Sequence, residues 1–174
     1  MSVHWEKKIV TSFDLILVRH AIAEERRIGL PEADRKLTET GISRFKRLAE
    51  GYRQLGFTPK EIWTSPWERA AHTADLLADV FPGCPTTVQP ALASSPGPDL
   101  LNAIAAAGFP LILVGHEPWL TELAGILTIG RAESLFRLKK GGLIWLQGEA
   151  QAAGMLTKIV LAPAPTLNLL DTQG

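Results

Sequence analysis

The chain has 174 residues, of which 46% are hydrophobic and 21% are charged. These proportions are typical of one folded domain and unlike those of a disordered chain. Eighteen basic and eighteen acidic residues cancel, which argues against a nucleic-acid partner, because proteins that bind nucleic acids carry a basic face. The single cysteine excludes an internal disulfide and a cysteine-based metal cluster.

The longest apolar runs have the length of strands. They fall far short of the roughly 20 residues that span a bilayer, and residues 1–12 lack the apolar stretch of a signal peptide. The sequence therefore predicts a cytoplasmic protein with no membrane partner. It further predicts one domain over residues 1–174, with a short N-terminal extension at 1–12 and an irregular tail at 163–174.

Short apolar runs alternate along the chain with segments of helical periodicity. The run Phe13–Val18 predicts a strand that is buried on both faces. Leu37–Gly56 predicts a helix with Thr38 at its N-cap, because apolar side chains recur there every three or four residues. Glu61–Thr64 is typical of a short strand, and we expect the helix after it to begin with Pro66 at its first position.

The second half of the chain continues this alternation. Thr86–Leu92 predicts a third strand. The other predicted elements are helices at Asp99–Ala107 and Pro118–Ile129 and strands at Pro110–Gly115, Leu143–Leu146 and Leu156–Leu161. Alternating strands and helices predict an α/β fold, a three-layer α/β/α sandwich with a mostly parallel central sheet.

Three of the predicted strands deliver polar residues to one edge of this sheet. Arg19 and His20 follow the first strand, Ser65 follows the second, and His116 follows the strand that begins at position 110. Ligands of open α/β sheets bind beyond the carboxyl ends of the strands, so we expect these side chains to converge. Arg69 falls in the first turn of the next helix, where free N–H groups already favour an anion.

Two arginines and two histidines would form a positive pocket. The motifs that carry Arg19, His20 and Arg69 contain no obvious partner carboxylate. Because arginine can donate two parallel hydrogen bonds to phosphate oxygens, such a pocket suits a tetrahedral dianion. A metal ion fits poorly, since the adjacent cations would repel it.

Five motifs occur together over most of the chain. They are LILVRHAIAE at Leu15–Glu24, DRKLTETG at Asp34–Gly41, TSPWERAAHTADLL at Thr64–Leu77, LILVGHEPWL at Leu111–Leu120 and LKKGGLIWL at Leu138–Leu146. In order and spacing they resemble the histidine phosphatase superfamily, also called phosphoglycerate-mutase-like. The resemblance is greatest to its small, SixA-like phosphohistidine phosphatase branch. It implies a phosphoglycerate-mutase-like fold and a hydrolase that needs neither a metal nor another cofactor.

The resemblance also implies a role for each residue of the pocket. His20 would take the phosphoryl group as a covalent intermediate, Arg19 and Arg69 would bind its oxygens, and His116 would stabilise charge in the transition state. We expect the nearby cations to keep His20 neutral. Ala21 stands where the family commonly has glycine, and it would be strained if that position needs a positive φ.

The proton donor admits two interpretations. Many relatives carry a glutamate in the loop after the third strand, and Leu92–Pro98 contains no acid. Another branch of the superfamily carries an acid directly after the second histidine, which is the position of Glu117. Alternatively, Glu117 is a charge that favours the N-terminus of the following helix. A site without a dedicated acid suits phosphohistidine better than a sugar ester, because the leaving imidazole can take its proton from solvent.

Four further residues are candidates for substrate binding. Ser65 follows a strand, and Trp67 and Trp119 begin helices, so that the two indoles either line the rim of the pocket or serve as packing anchors. Arg35 is the candidate among the arginines that follow His20, and a solvated position is its alternative.

Together these observations predict a phosphatase that dephosphorylates protein phosphohistidine. The interval between Arg19 and His116 leaves no room for a large lid, so we expect an open site. One alternative is a phosphatase of small phosphorylated metabolites on the same scaffold. The other is a catalytically silent module that binds phosphoproteins, although a mere binder has no need of a nucleophilic histidine.

Overall fold

In the computed structural model, which describes residues 11–134, 137–150 and 158–162, six strands form one central sheet. They are β1 at Thr11–Arg19, β2 at Glu61–Thr64, β3 at Thr86–Val88, β4 at Leu111–Gly115, β5 at Leu143–Ala150 and β6 at Lys158–Ala162. Their order across the sheet is β3-β2-β4-β1-β5-β6. The first four strands pair in parallel, whereas β5 is antiparallel to both of its neighbours. The sheet is therefore mostly parallel, as predicted.

Four helices connect successive strands from β1 to β5. They are α1 at Glu39–Gln54, α2 at Glu68–Val80, α3 at Pro98–Ala106 and α4 at Trp119–Ile129, with short 3-10 turns at Glu32–Asp34 and Pro90–Ala93. The predicted cap of α1 is confirmed, because the Thr38 hydroxyl accepts a hydrogen bond from the Gly41 N–H at 3.0 Å. In the described part of the chain, no helix is long and apolar enough to cross a membrane.

Alternate residues of β1 face two different helical layers. Ile16 and Val18 pack in a core with side chains of α1 and α2, whereas Leu15 and Leu17 pack with side chains of α3 and α4. All four are fully buried. A central strand covered on both faces needs a continuous apolar run rather than an alternating one. The three-layer α/β/α architecture predicted from this pattern is confirmed.

Two predicted elements end or begin elsewhere. Pro66 precedes α2, which begins at Glu68 with Trp67 in an extended conformation at its N-cap. The Ser65 hydroxyl accepts a hydrogen bond from the Trp67 N–H at 3.3 Å and so holds the chain in a turn before the helix. The third strand ends at Val88 rather than Leu92, because a 3-10 turn begins at Pro90, which has no N–H to donate to a sheet.

The other predicted elements agree with the structure within a few residues at their ends. The first strand extends at both ends to Thr11–Arg19, and the strand from Leu143 continues to Ala150. The last predicted strand is present as β6, although its first two positions, 156 and 157, lie outside the described residues. The tail at 163–174 and residues 1–10 of the N-terminal extension lie outside them as well.

Helix α1 approaches the loop after His20 most closely at Gly41. A β carbon on Gly41 would lie only 2.1 Å from the carbonyl oxygen of Ile22. That same oxygen accepts a hydrogen bond from the Thr38 N–H at 3.0 Å. The absence of a side chain at Gly41 therefore lets the start of α1 hold the backbone next to the sheet edge.

Gly41→Ala should lower the free energy of unfolding by roughly 1–3 kcal/mol, the usual cost of overpacking a tight contact. Urea unfolding followed by circular dichroism measures the loss. Gly97→Ala is the control, because a β carbon there meets nothing within 4 Å. Its weaker capping of α3 should cost under about 1 kcal/mol. Equal losses in the two variants would show that the contact with Ile22 is not limiting.

Candidate active site

The carboxyl ends of β1 and β4 bring the two predicted histidines together. The parallel register places Arg19 opposite Gly115, so His20 and His116 leave the sheet from adjacent strands. The His20 N–H donates to the Gly115 carbonyl oxygen at 3.0 Å. The imidazole centroids lie 5.2 Å apart, and both rings are buried.

A cavity of about 690 Å³ opens beside these histidines. It is lined by Arg19, His20, Glu25, Arg26, Glu32, Arg35, Trp67, Arg69, His116, Glu117, Pro118, Trp119 and Lys140. The lining contains every residue that the sequence predicted for the site except Ser65. Arg35 is buried rather than solvated, so the solvated alternative for this side chain is wrong.

The hydrogen bonds of His20 define its tautomer. Its Nδ1 lies 2.7 Å from the carbonyl oxygen of Ala21, which can only accept, so Nδ1 carries the proton. Its Nε2 accepts a hydrogen bond from Arg69 Nε at 3.1 Å. The lone pair of the ring therefore lies on Nε2, on the side of the arginine.

His20 is held neutral mainly by its burial. Its pKa is lowered to about 2, mainly by burial, against a hydrogen bond to Ala21 that raises it; the proximity of His116 and the charges of Arg69 and Arg19 add to the lowering. The sequence predicted a neutral histidine from nearby cations. The cations contribute, but removal from water is the larger cause.

The backbone at Ala21 is unstrained. None of the described non-glycine residues has a positive φ, so the condition under which alanine would be strained does not arise. The Ala21 N–H donates to the Thr73 hydroxyl at 3.0 Å. This hydrogen bond fixes the chain directly after His20 against α2.

Ser65 lies behind His116 and supports it from within the protein. The fully buried Ser65 hydroxyl is 2.8 Å from His116 Nε2. The Trp67 N–H donates to this oxygen, so the proton of the buried hydroxyl needs another acceptor. His116 Nε2 is in position to accept it, which favours a proton on Nδ1 of His116. That Nδ1 is buried without a hydrogen-bond partner among the described residues. Burial, followed by the charge of Arg69, lowers the pKa of His116 to about 3.

Glu32 supplies a carboxylate that the sequence reasoning missed. Its Oε1 accepts from Arg69 Nη2 at 2.9 Å and from Arg35 Nη1 at 2.5 Å, and its Oε2 accepts from Arg26 at 3.0 Å. Arg69 Nη1 also donates to the Glu32 carbonyl oxygen at 2.5 Å. Although burial raises it, hydrogen bonds from Arg26 and Arg35 hold the pKa of Glu32 below its usual value. The sequence predicted a positive pocket without an obvious partner carboxylate. In the structure, Glu32 is the partner of Arg69 and Arg35.

Two further cations complete the lining. Arg19 Nη1 donates to the Leu138 carbonyl oxygen at 2.6 Å, while its Nε is buried without a partner in the described part of the chain. Lys140, which the sequence reasoning did not select, lines the cavity. Burial, followed by the charges of Arg19, Arg35 and Arg69, lowers its pKa. Its position follows from Gly141, whose N–H donates to the Arg19 and His20 carbonyl oxygens.

Glu117 is half-buried beside His116. Its Oε2 accepts from the Thr121 hydroxyl at 2.6 Å, and its Oε1 has no hydrogen-bond partner among the described residues. Burial raises its pKa, although Thr121 and Arg19 oppose the shift. The Glu117 carboxyl therefore holds a proton more readily than the Glu32 carboxyl, whose pKa is lowered.

Both predicted tryptophans line the cavity and also contact each other. The ring centroids of Trp67 and Trp119 are 5.6 Å apart in an edge-to-face contact. Trp67 lies 4.3 Å from the His116 ring, and the Arg69 guanidinium lies over the Trp67 ring at 4.6 Å. The lining and packing interpretations of these indoles are therefore compatible.

Comparison with known proteins identifies the family. Residues 15–94 match the model of the histidine phosphatase superfamily, branch 1. An uncharacterized protein of Picosynechococcus is 36% identical over 142 residues, which cover 79% of this chain and 86% of that protein. The chain belongs to the histidine phosphatase superfamily.

Solved structures of histidine phosphatases share the fold. A structure assigned as phosphohistidine phosphatase SixA of Agrobacterium tumefaciens gives a TM-score of 0.69 at 22% identity, covering 86% of this chain and 97% of that one. A SixA complex with tungstate gives 0.69 at 18% identity, covering 85% and 96%. A mycobacterial glucosyl-3-phosphoglycerate phosphatase bound to inorganic phosphate gives 0.68 at 17% identity, covering 87% and 98%.

Glu32→Gln should bind inorganic phosphate more tightly than the parent histidine phosphatase, by roughly two- to fivefold, the size expected for a partly exposed ion pair. Glutamine keeps an oxygen that can accept from Arg69 but removes the negative charge that opposes an anion. Isothermal titration with phosphate measures the change.

Glu24→Gln is the matched control, because it removes the same charge from the same loop at a position outside the cavity lining. Its phosphate affinity should equal that of the parent. Weaker binding by Glu32→Gln would mean that the charge of Glu32 is needed to hold the arginines in place.

Proposed function

We propose that the chain is a phosphatase that dephosphorylates protein phosphohistidine through a covalent intermediate on His20. The observation that carries this proposal is the state of His20 in the cavity. The ring is neutral, its Nδ1 proton is donated to Ala21, and its Nε2 lone pair lies beside Arg69. A neutral imidazole among cations is the nucleophile that attack on a phosphoryl group requires.

In the first step, the phosphoryl oxygens would take over hydrogen bonds that Glu32 now receives from Arg69 and Arg35. Arg69 Nε would likewise turn its hydrogen bond from His20 Nε2 to a phosphoryl oxygen, which frees the Nε2 lone pair. That Nε2 would then form a bond to phosphorus while the bond from phosphorus to the leaving nitrogen breaks. The departing imidazole takes a proton from solvent. Arg19 and the Nδ1–H of His116 would stabilise charge on the phosphoryl oxygens in the transition state.

In the second step, water would attack the phosphorus of phospho-His20. The P–N bond breaks, its electron pair returns to Nε2, and the proton lost by the water passes to solvent. Inorganic phosphate leaves, and Glu32 recovers its hydrogen bonds from the arginines. No metal ion is included in this mechanism, because the cations that line the cavity would repel one.

Two features support phosphohistidine as the substrate. The loop Leu92–Pro98, where many superfamily members carry an acid, contains none, and a leaving imidazole needs no dedicated acid. The interval between Arg19 and His116 also holds no α-helix beyond α1, α2 and α3, so the cavity can stay open to a histidine on a protein surface. The fold similarity to structures named SixA is consistent with this substrate.

Hydrolysis of a small phosphate ester is the second candidate function. It is favoured by Glu117, a half-buried carboxyl with a raised pKa in the cavity, because an ester leaves as an alkoxide that needs a proton. Fold neighbours that act on small phosphorylated metabolites occur too. A silent binding module is disfavoured by the neutral, oriented His20.

His20→Ala should abolish release of phosphate from a phosphohistidine protein while the fold is kept. Brief incubation of the parent with radiolabelled substrate, quenched in base, should leave an acid-labile and base-stable label on the chain. The label should be absent from the variant. His72→Ala is the matched control, because His72 lies in α2 outside the cavity lining. Turnover by His20→Ala near the parent rate would refute the covalent mechanism.

Glu117→Gln should separate the two candidate substrates. If phosphohistidine is the substrate, the variant should hydrolyse it at nearly the parent rate, because no general acid is needed. If Glu117 is the acid for esters, hydrolysis of an alkyl phosphate should fall roughly 100-fold or more. An aryl phosphate should be spared, because a phenolate with a pKa near 10 leaves without much help.

Steady-state kcat/KM values for the three substrates measure this difference. Glu122→Gln is a suitable control, because Glu122 lies nearby in the first turn of α4 but outside the cavity lining. A parent enzyme that prefers sugar phosphates, combined with their selective loss in Glu117→Gln, would replace the phosphohistidine proposal with the metabolite one.

A further inference from the structure

The cavity is much larger than the phosphoryl group alone needs. Its volume of about 690 Å³ lies within the range of roughly 300–1,000 Å³ that is usual for pockets binding whole small molecules. Arg19, Arg35 and Arg69 can bind the phosphoryl oxygens, as argued above. The rest of the cavity must accommodate the leaving group.

The lining contains one contiguous apolar surface, formed by Trp67, Pro118 and Trp119. Its two indoles contact each other edge to face, and both contact the ring of His116. The other side chains of the lining are charged groups or histidines. A leaving group next to the phosphoryl site would therefore meet either charges or this aromatic surface.

The two indoles are not equivalent. Trp67 is engaged by the Arg69 guanidinium over its ring at 4.6 Å and by His116 at 4.3 Å. Both indoles are partly buried, but Trp119 contacts Trp67 and His116 at longer centroid distances of 5.6 and 5.8 Å. Because Arg69 lies over one face of Trp67, we assign Trp67 the supporting role and Trp119 the contact with a ligand.

We propose that Trp119, supported by Trp67, binds a flat aromatic ring in the leaving group. This inference rests on the phosphatase function proposed above and narrows its substrates to those whose phosphoryl group is attached to such a ring. The imidazole of phosphohistidine is one, and an aryl phosphate is another. Flat rings gain from stacking on an aromatic side chain.

Three phosphonates, which the enzyme cannot hydrolyse, test this proposal at equilibrium. Phenylphosphonate carries a flat ring, cyclohexylphosphonate a saturated ring of similar size, and methylphosphonate no ring. Isothermal titration gives their dissociation constants for the parent, Trp119→Phe, Trp119→Leu and the control Trp145→Phe. Trp145 lies on β5 against Phe57 and outside the cavity lining.

The parent should bind phenylphosphonate about tenfold more tightly than cyclohexylphosphonate. Trp119→Leu should lose this preference, with phenylphosphonate binding about tenfold weaker and methylphosphonate binding unchanged within twofold. Trp119→Phe should keep the preference within threefold, because it retains an aromatic face, and Trp145→Phe should match the parent. Unchanged methylphosphonate binding also shows that each variant is folded.

Two results would overturn the proposal. Equal weakening of all three phosphonates in Trp119→Leu would show that Trp119 only maintains the structure of the site. If the parent bound phenylphosphonate and cyclohexylphosphonate equally well, the surface would not select flat rings. Because no turnover is involved, failure to hydrolyse phosphohistidine would refute the proposed substrate without altering these binding constants.

Discussion

The parallel pairing of β1 with β4 is the contact on which the rest of the site depends. A slip of one residue would turn Ile16 and Val18 away from the core that they share with α1 and α2. Because both faces of β1 are apolar, the register depends on how its side chains fit their two cores rather than on polarity. It places Arg19 opposite Gly115, so that the next residue of each strand is a histidine. The 5.2 Å between the two imidazoles is a consequence of core packing.

Burial at this sheet edge acts on each kind of ionisable group in the direction of neutrality. It lowers the pKa of His20 and His116 and raises that of Glu117. Burial also lowers the pKa of Arg69, to about 10, which still leaves the guanidinium charged at neutral pH. The site therefore combines neutral imidazoles with permanent cations. Glu32 provides a charge that compensates Arg69.

The sequence predicted the sheet and the four central residues because both follow from short-range patterns. Continuous apolar runs indicate strands buried on both faces, and polar residues at strand ends indicate the site, so Arg19 and His116 could be found without a structure. The pairing of Glu32 with Arg69 could not be predicted, because the loop between β1 and α1 has no periodic pattern from which its path follows. The available signal was that the loop contains acids, one of which, Glu32, lies three residues before Arg35. Lys140 depended likewise on a turn held by backbone hydrogen bonds.

The two parts of the cavity have separate tasks. In the proposed mechanism, arginines and histidines at or near the strand ends bind and transfer the phosphoryl group, and these residues lie in the motifs that resemble the histidine phosphatase superfamily. They carry no information about what the phosphoryl group is attached to. That information lies in side chains that only approach the leaving group, which are the Trp119 indole and the Glu117 carboxyl. Superfamily membership thus supports phosphoryl transfer, whereas in our proposal the choice of substrate depends on the few residues at the start of α4.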